Sequence, residues 1–349
     1  MTVGVCFGGY CPLHRGHLDI IMRAKKEHDK CLVVVCGYDN EPRTEEIGLT
    51  LDLKYNLVKK VFEKDEQIKV VKISDSELGL DQSMSPGNWK IWSNKVMTFL
   101  NPPDIPVFYV AEEFYKQSLE DLGYQVVLMP RILGLSGTEI RKNPVKNWNY
   151  IEKHFKTSLT TNILITGTAS EGKSTLARDI SIYYNFPLVE EYGRLYMENF
   201  RLTDEDLDCE TFKRFLDVQR ENKRLCQGKA PIVIHDTDNQ VTMMYAEAYF
   251  QDPAIKNFNH RDFRDLCKYH NETGIDRNWN KIYLLPPKNN FVDDGTRYMK
   301  QATIEERNKN YDILCRLLKK NGLWDKVEIL RGNYYENFDT IKRYINSLI

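Results

Sequence analysis

The chain has 349 residues, enough for about two domains, and 42% of them are hydrophobic. Lysine and arginine number 49 against 50 acidic residues, for a formal charge of -1. Wholesale disorder, a strongly basic nucleic-acid coat and an acidic solvating tail are thereby excluded, while local basic pockets for phosphates are not. In chain order, residues 3–7 form a short apolar run that predicts a buried strand, and residues 17–26 follow with helical spacing through Ile20, Ile21 and Ala24. Residues 31–36 (CLVVVC) predict a second buried strand, 51–62 a helix, and 68–73 a third strand. Helix 88–100, strand 107–110, helix 112–122 and strand 124–129 complete a parallel α/β pattern.

The alternation breaks over 141–156, a polar stretch with one proline and several aromatics. It restarts with strand 162–166 and helix 173–184. A short strand at 187–189, a long helix over 204–227 and a strand at 232–235 follow. Helices around 240–250 and 254–269, strand 281–285, helix 304–320, strand 327–330 and helix 338–348 close the chain. The expected fold class is α/β, with two Rossmann-like parallel-sheet domains. Their boundaries are 1–145 and 159–349, with 146–158 as a linker. No apolar run is long enough for a membrane helix, and the first residues lack the pattern of an export signal. A cytoplasmic protein with eight reduced cysteines, none in a C-x-x-C pair, is expected, without zinc or disulfides.

The motifs are concentrated in turns. His14-Arg-Gly-His17 follows the first strand through Gly8, Gly9, Tyr10, Cys11, Pro12 and Leu13. Two imidazoles at a helix N-terminus suit phosphate chemistry, because ring N–H groups and the helix dipole both favour anionic oxygens. No third or fourth ligand lies nearby to suggest zinc. Gly134-Leu-Ser136-Gly-Thr138-Glu-Ile-Arg141 follows the fifth strand. Its hydroxyls can cap a helix and donate to phosphate, and Arg141 lies one turn on.

In the second half, Gly167-Thr-Ala-Ser-Glu-Gly-Lys-Ser174 matches G-x-x-x-x-G-K-[ST] between a strand and a helix. Its backbone N–H groups would cradle phosphates, Lys173 would meet the β- and γ-phosphates, and Ser174 would ligate Mg²⁺. Asp236 and Asp238 end a buried strand, where either suits a water-bridged metal or a helix N-cap. Glu191 would face the phosphate acceptor, and Arg194 would bind the substrate or the transferring phosphoryl; a surface ion pair is the simpler alternative. Arg297, in 291–297, would close over ATP as part of a lid, or belong to a solvated glycine-containing loop.

His14–His17 and Leu135-Ser-Gly-Thr-Glu-Ile-Arg141 together resemble the HxGH and ISGTxIR pair of the nucleotidyltransferase superfamily, on its nicotinamide-mononucleotide adenylyltransferase branch. The fusion to a P-loop kinase with Glu191-Tyr-Gly-Arg194, Asp236-Thr-Asp238 and Val292-Asp-Asp-Gly-Thr-Arg297 resembles the NadR family, which joins that activity to ribosylnicotinamide kinase. The resemblance implies an HxGH nucleotidyltransferase fold and a P-loop kinase fold. It implies catalysis by His14, His17, Arg141, Lys173, Glu191, Asp236 and Arg297. ATP would be held by Phe7, Gly8, Gly9, His14, His17, Ser136, Thr138 and Arg141 in the first domain. In the second it would be held by Gly167, Thr168, Ala169, Ser170, Glu171, Gly172, Lys173, Ser174, Thr175 and Arg297. Either Glu191 or Asp236 would accept the substrate proton, and Ser174 with Asp236 would hold Mg²⁺.

Glu191, Tyr192, Arg194, Asp236 and Asp238 are the implied substrate residues of the kinase. Trp89 and Trp92 would stack on the pyridinium of the mononucleotide, or else sit on the core face of their helix. The partners implied are ATP, nicotinamide riboside, its mononucleotide NMN and the product NAD, with no nucleic acid and no membrane; a homo-oligomer is left open. Enteric members carry an N-terminal helix-turn-helix repressor domain. None is expected here, because the first strand begins at Val3. Gly9 stands where the family has a lysine, with Arg15 the nearby cation expected to compensate. Three alternatives stand beside this reading: a kinase with a degenerate adenylyltransferase, a pantetheine-phosphate adenylyltransferase fused to a dephospho-coenzyme A kinase, and a nucleotide sensor without turnover.

Overall fold

A computed structural model describes every residue except 42–43, 45–46, 82–84, 132–133, 254, 274 and 293–302. The chain divides into two units, Met1–Leu159 and Thr160–Ile349. In the first, β1 (Thr2–Gly8), α1 (Arg15–Glu27), β2 (Lys30–Gly37), α2 (Leu51–Val61) and β3 (Ile68–Ser74) are followed by α3 (Pro86–Met97), β4 (Ile105–Val110), α4 (Glu113–Glu120), β5 (Gln125–Leu128) and α5 (Gly137–Lys142). All strand pairs are parallel, in the order β3-β2-β1-β4-β5. Alternate side chains of each strand feed opposite layers. Cys31, Val33 and Val35 pack with Ile21 and Ala24 of α1 and Val58 of α2, whereas Leu32 and Val34 pack with Trp89, Trp92 and Val96 of α3.

Residues 146–158, expected to link the domains, lie in the first unit. Two 3₁₀ turns, Trp148–Tyr150 and Lys153–Leu159, bury Trp148, Phe155 and Leu159 in the α1–α2 layer. The Glu152 N–H donates to the Leu13 carbonyl at 3.0 Å, and Ile151 bridges to His14. The segment thus backs the turn that presents the two histidines.

The second unit runs β6 (Thr161–Gly167), α6 (Lys173–Tyr184), β7 (Leu188–Val189), α7 (Tyr192–Phe200), α8 (Cys209–Cys226), β8 (Ile232–Asp236), α9 (Asn239–Gln251), α10 (His260–Thr273), β9 (Lys281–Leu285), α11 (Ile304–Lys320), β10 (Val327–Ile329) and α12 (Tyr334–Leu348). Its parallel order is β10-β9-β6-β8-β7. Leu164, Ile282 and Leu284 bury against α8, α9 and α11. The long helix expected over 204–227 is split. Thr203 and Asp206 form a capping box on a single 3₁₀ turn, Leu207 is extended, and Asp208 caps α8 by accepting from the Thr211 N–H at 2.8 Å. Two strong caps five residues apart defeat one continuous helix. Helix α7 was not anticipated, and α10 begins later than the spacing predicts.

In both sheets β1 or β6 is central, with neighbours whose connections leave in opposite directions. Ligands of such sheets bind beyond the carboxyl ends of the strands at that point. Gly167 ends β6 with φ +145°, and a Cβ there would lie 2.5 Å from the Leu285 carbonyl oxygen of β9. Gly167→Ala is therefore expected to destabilise the second unit by roughly 1–3 kcal/mol. Thermal unfolding should show a lowered transition for that unit and an unchanged one for the first.

Two candidate active sites

The first site lies beyond the carboxyl ends of β1 and β4, around a cavity of about 280 Å³. Phe7, Gly8, Gly9, His14 and His17 line it from the β1–α1 turn. Ser136, Thr138 and Arg141 line it from the start of α5, so these sequence-predicted residues converge although they are far apart in the chain. Ser136 caps α5 by accepting from the Glu139 N–H at 3.1 Å. Arg141 donates to the Cys11 carbonyl and, at 3.0 Å, to the Thr138 hydroxyl, tying α5 to the histidine turn. That approach needs Gly137, where a Cβ would come within 2.8 Å of the Cys11 oxygen.

His14 and His17 stand with ring centroids 3.8 Å apart. Burial and then the Arg131 charge bring His14 down to about 4. Burial, His14 and Arg131 hold His17 well below the ordinary imidazole range. Both rings are therefore neutral at pH 7. Nδ1 and Nε2 of His14 and Nδ1 of His17 are buried with no hydrogen-bond partner among the described residues. Buried polar nitrogens cost free energy unless something satisfies them, and an anionic ligand in the cavity would do so.

Arg15 lies over the Tyr150 ring, 5.8 Å from its centroid, and is not part of the cavity wall. A second cation lining the cavity, beside Arg141, is Arg131, ion-paired with Glu112. Sequence reasoning missed Arg131 and Glu112, because neither belongs to a motif. Trp89 and Trp92 are buried beneath Phe7, Trp92 with its centroid 4.7 Å away, and neither lines the cavity. They occupy the core face of α3, and Phe7 and Tyr115 stand in front of them.

The second site is built on the turn from β6 into α6. Gly172, with φ +80°, opens the helix, and Lys173 is buried with its Nζ donating to the Thr168 carbonyl at 2.8 Å. The Thr168 hydroxyl is buried without a partner among the described residues. Thr168 and Ala169 are buried and Thr175 is exposed, while Ser170 and Glu171 turn towards residues 288–292 rather than outward. Asp236 ends β8, with the Ser174 hydroxyl nearby. Burial and the Glu191 charge push the Asp236 carboxyl up to about 6, against the pull of Lys173, Ser174 and Arg194.

Glu191 precedes α7 and, with Arg194 and Thr237, borders a second cavity. Its walls are Phe212, Phe215, Tyr245 and Tyr249, with buried Asp204 among them. No motif announces these residues, which come from α8 and α9. Arg194 is also paired with Glu198 at 2.9 Å, so the surface-pair alternative coexists with a place at the cavity. Tyr192 and Asp238 do not border the cavity. The Tyr192 N–H donates to Gln219 at 2.8 Å. Asp238 caps α9, accepting from Gln240 and Val241, and burial followed by the Asp276 charge pushes it up to about 7. Arg297 lies outside the described residues.

The cytidylyltransferase-like family matches residues 5–143, and the AAA domain family matches residues 162–336. The trifunctional NAD biosynthesis/regulator protein NadR of Escherichia coli (strain K12) is 30% identical, covering 97% of this chain and 81% of that protein. A phosphopantetheine adenylyltransferase of Fusobacterium nucleatum subsp. nucleatum is 44% identical over 142 residues, covering 34% of this chain and 82% of that enzyme. Crystal structures of NadR protein resemble the whole chain. One in complex with NR has a TM-score of 0.80 and 29% identity, covering 99% of this chain and 96% of that one. One with NAD and AMP-PNP has a TM-score of 0.78 and 28% identity, with the same coverage. A relative 30% identical and aligned along nearly the entire chain, with NadR structures that match it over both sheets, means that the chain belongs to the NadR family.

Proposed function

We propose that the chain makes NAD in two consecutive ATP-dependent steps, phosphorylation of nicotinamide riboside in the second unit and adenylyl transfer to NMN in the first. The observation that carries this reading is the pairing in one chain of a buried, unsatisfied histidine couple in the first unit with a phosphate-loop turn and an acidic aromatic cavity in the second. Relatives named for NAD biosynthesis, and NadR structures holding NR or NAD with AMP-PNP, support it.

In the kinase step the riboside enters the cavity of Phe212, Phe215, Tyr245 and Tyr249. Aromatic faces and the carboxylates of Asp204 and Glu191 suit a positively charged pyridinium ring. The 5′-hydroxyl attacks the γ-phosphorus of ATP, and the bond to the β-γ bridging oxygen breaks, with ADP leaving. Lys173 and the loop N–H groups bind the triphosphate and hold it in line. Glu191, which borders the cavity, accepts the hydroxyl proton. The Ser174 hydroxyl and Asp236, whose Oδ1 is buried without a partner among the described residues, fit a Mg²⁺ carried by the nucleotide. That ion would neutralise phosphate charge.

In the adenylyl step a phosphate oxygen of NMN attacks the α-phosphorus of a second ATP, and pyrophosphate leaves. A phosphate nucleophile needs no general base. The work is stabilisation of charge on the pentavalent phosphorus, by His14, His17, Ser136, Thr138 and Arg141 around one cavity. A cytoplasmic location belongs to the same proposal, and no helix among the described residues is long and apolar enough to cross a membrane. The similarity to a phosphopantetheine adenylyltransferase favours a second reading for the first unit alone, with 4′-phosphopantetheine as the adenylyl acceptor.

Lys173→Ala is expected to lower riboside phosphorylation by a hundredfold or more, on the order of the loss of one preorganised charge, while sparing NAD formation from NMN. His17→Ala should do the reverse by a similar order. Product analysis of both variants checks this, and loss of both activities in one folded variant contradicts two independent sites. Because the folded Asp236 carboxyl is raised to about 6, its ionised form is lost as pH falls through that value. The kinase kcat/KM should then drop roughly tenfold per pH unit below it, read from a pH-rate profile.

A further inference from the structure

The phosphate loop of the second unit contains a carboxylate, Glu171, in the stretch that must approach an anionic triphosphate. Its side chain is 0% exposed and that of Arg307, on α11, is 4% exposed. Arg307 Nη1 donates to Glu171 Oε1 at 2.8 Å. The other carboxylate oxygen accepts from the backbone N–H of Lys288 at 3.1 Å and of Asn289 at 3.3 Å. Arg307 Nη2 donates to the Asn289 carbonyl at 2.8 Å, which closes a ring of contacts. Next door, Ser170 Oγ accepts from the Val292 N–H at 3.0 Å and donates to its carbonyl at 3.3 Å.

An unmatched carboxylate at this place would repel the β- and γ-phosphates that the loop exists to hold. A buried guanidinium with a complementary fork removes that charge and turns the side chain into the protein. We propose that Glu171 and Arg307 are a positioning pair for ATP in the kinase unit. Arg307 holds the loop carboxylate away from the phosphate cradle and, through Asn289 and Lys288, fixes the loop against the chain leaving β9. The inference rests on the kinase reading above. The wild-type yield of NMN tests that reading, whereas variant-to-wild-type ratios test the pair.

The test is the KM for ATP and the kcat of riboside phosphorylation in Arg307→Met, Glu171→Gln and the double variant. NAD formation from NMN and thermal unfolding serve as controls in the same chain. Arg307→Met should raise the KM for ATP about tenfold with a smaller change in kcat, because it leaves an unmatched anion in the loop. Glu171→Gln should lower it about twofold or more, because the Arg307 charge is then left without its counter-ion beside the phosphates. The double variant should return to within about twofold of wild type, since both charges are gone. A merely structural buttress predicts instead that both single variants raise KM and that the double is no better than Arg307→Met; that result, or an unchanged KM in Arg307→Met, overturns the proposal. Should Arg307→Met fail to fold, a raised KM in Glu171→Gln or in the double variant overturns it equally.

Discussion

Both candidate sites depend on how closely backbone can approach backbone where a parallel strand turns into a helix. At Gly167 the end of β6 lies so near the Leu285 carbonyl that no side chain could be accommodated, and at Gly137 the start of α5 presses on Cys11 in the same way. These two contacts fix where α5 and α6 begin, and a helix N-terminus favours an anion. The remaining site residues are arranged around those points. The hydrophobic layers beneath serve to hold the turns in register, as when Trp148 and Phe155 brace the segment that supports Leu13 and His14.

The two candidate sites differ in electrostatics. In the first, burial and Arg131 keep both histidines neutral, so the positive charge of the cavity wall comes from Arg131 and Arg141 and the imidazoles offer polar nitrogens. An incoming triphosphate reverses that balance, because a nearby anion favours the protonated ring. In the second, Lys173 is buried in the loop, and burial with the Glu191 charge raises the cost of ionising Asp236. Consecutive reactions joined in one chain therefore need not share a mechanism.

The sequence was most informative where function is packed into contiguous residues. His14-Arg-Gly-His17 and Gly167–Ser174 each combine glycine, a polar donor and a helix start within eight residues, and the helix and strand periodicities around them were readable. What escaped was assembled from a distance. Tyr245 and Tyr249 of α9 meet Phe212 and Phe215 of α8 only after folding, and Arg131 reaches the histidines only because β5 lies beside β4. Periodicity puts Trp89 and Trp92 on one face of α3 but does not say whether core or ligand lies opposite. Local caps at Thr203 and Asp208 overruled a helical pattern that looked continuous over 204–227.

The central claim is that this chain converts nicotinamide riboside to NAD through NMN. The most direct measurement incubates the purified protein with Mg²⁺ and ATP and, separately, with nicotinamide riboside, NMN and 4′-phosphopantetheine, and resolves the products by mass spectrometry. The account predicts NMN and NAD from the riboside, NAD from NMN, and no adenylylated product from 4′-phosphopantetheine. Dephospho-coenzyme A from the last, with no NAD from either pyridine substrate, would contradict it.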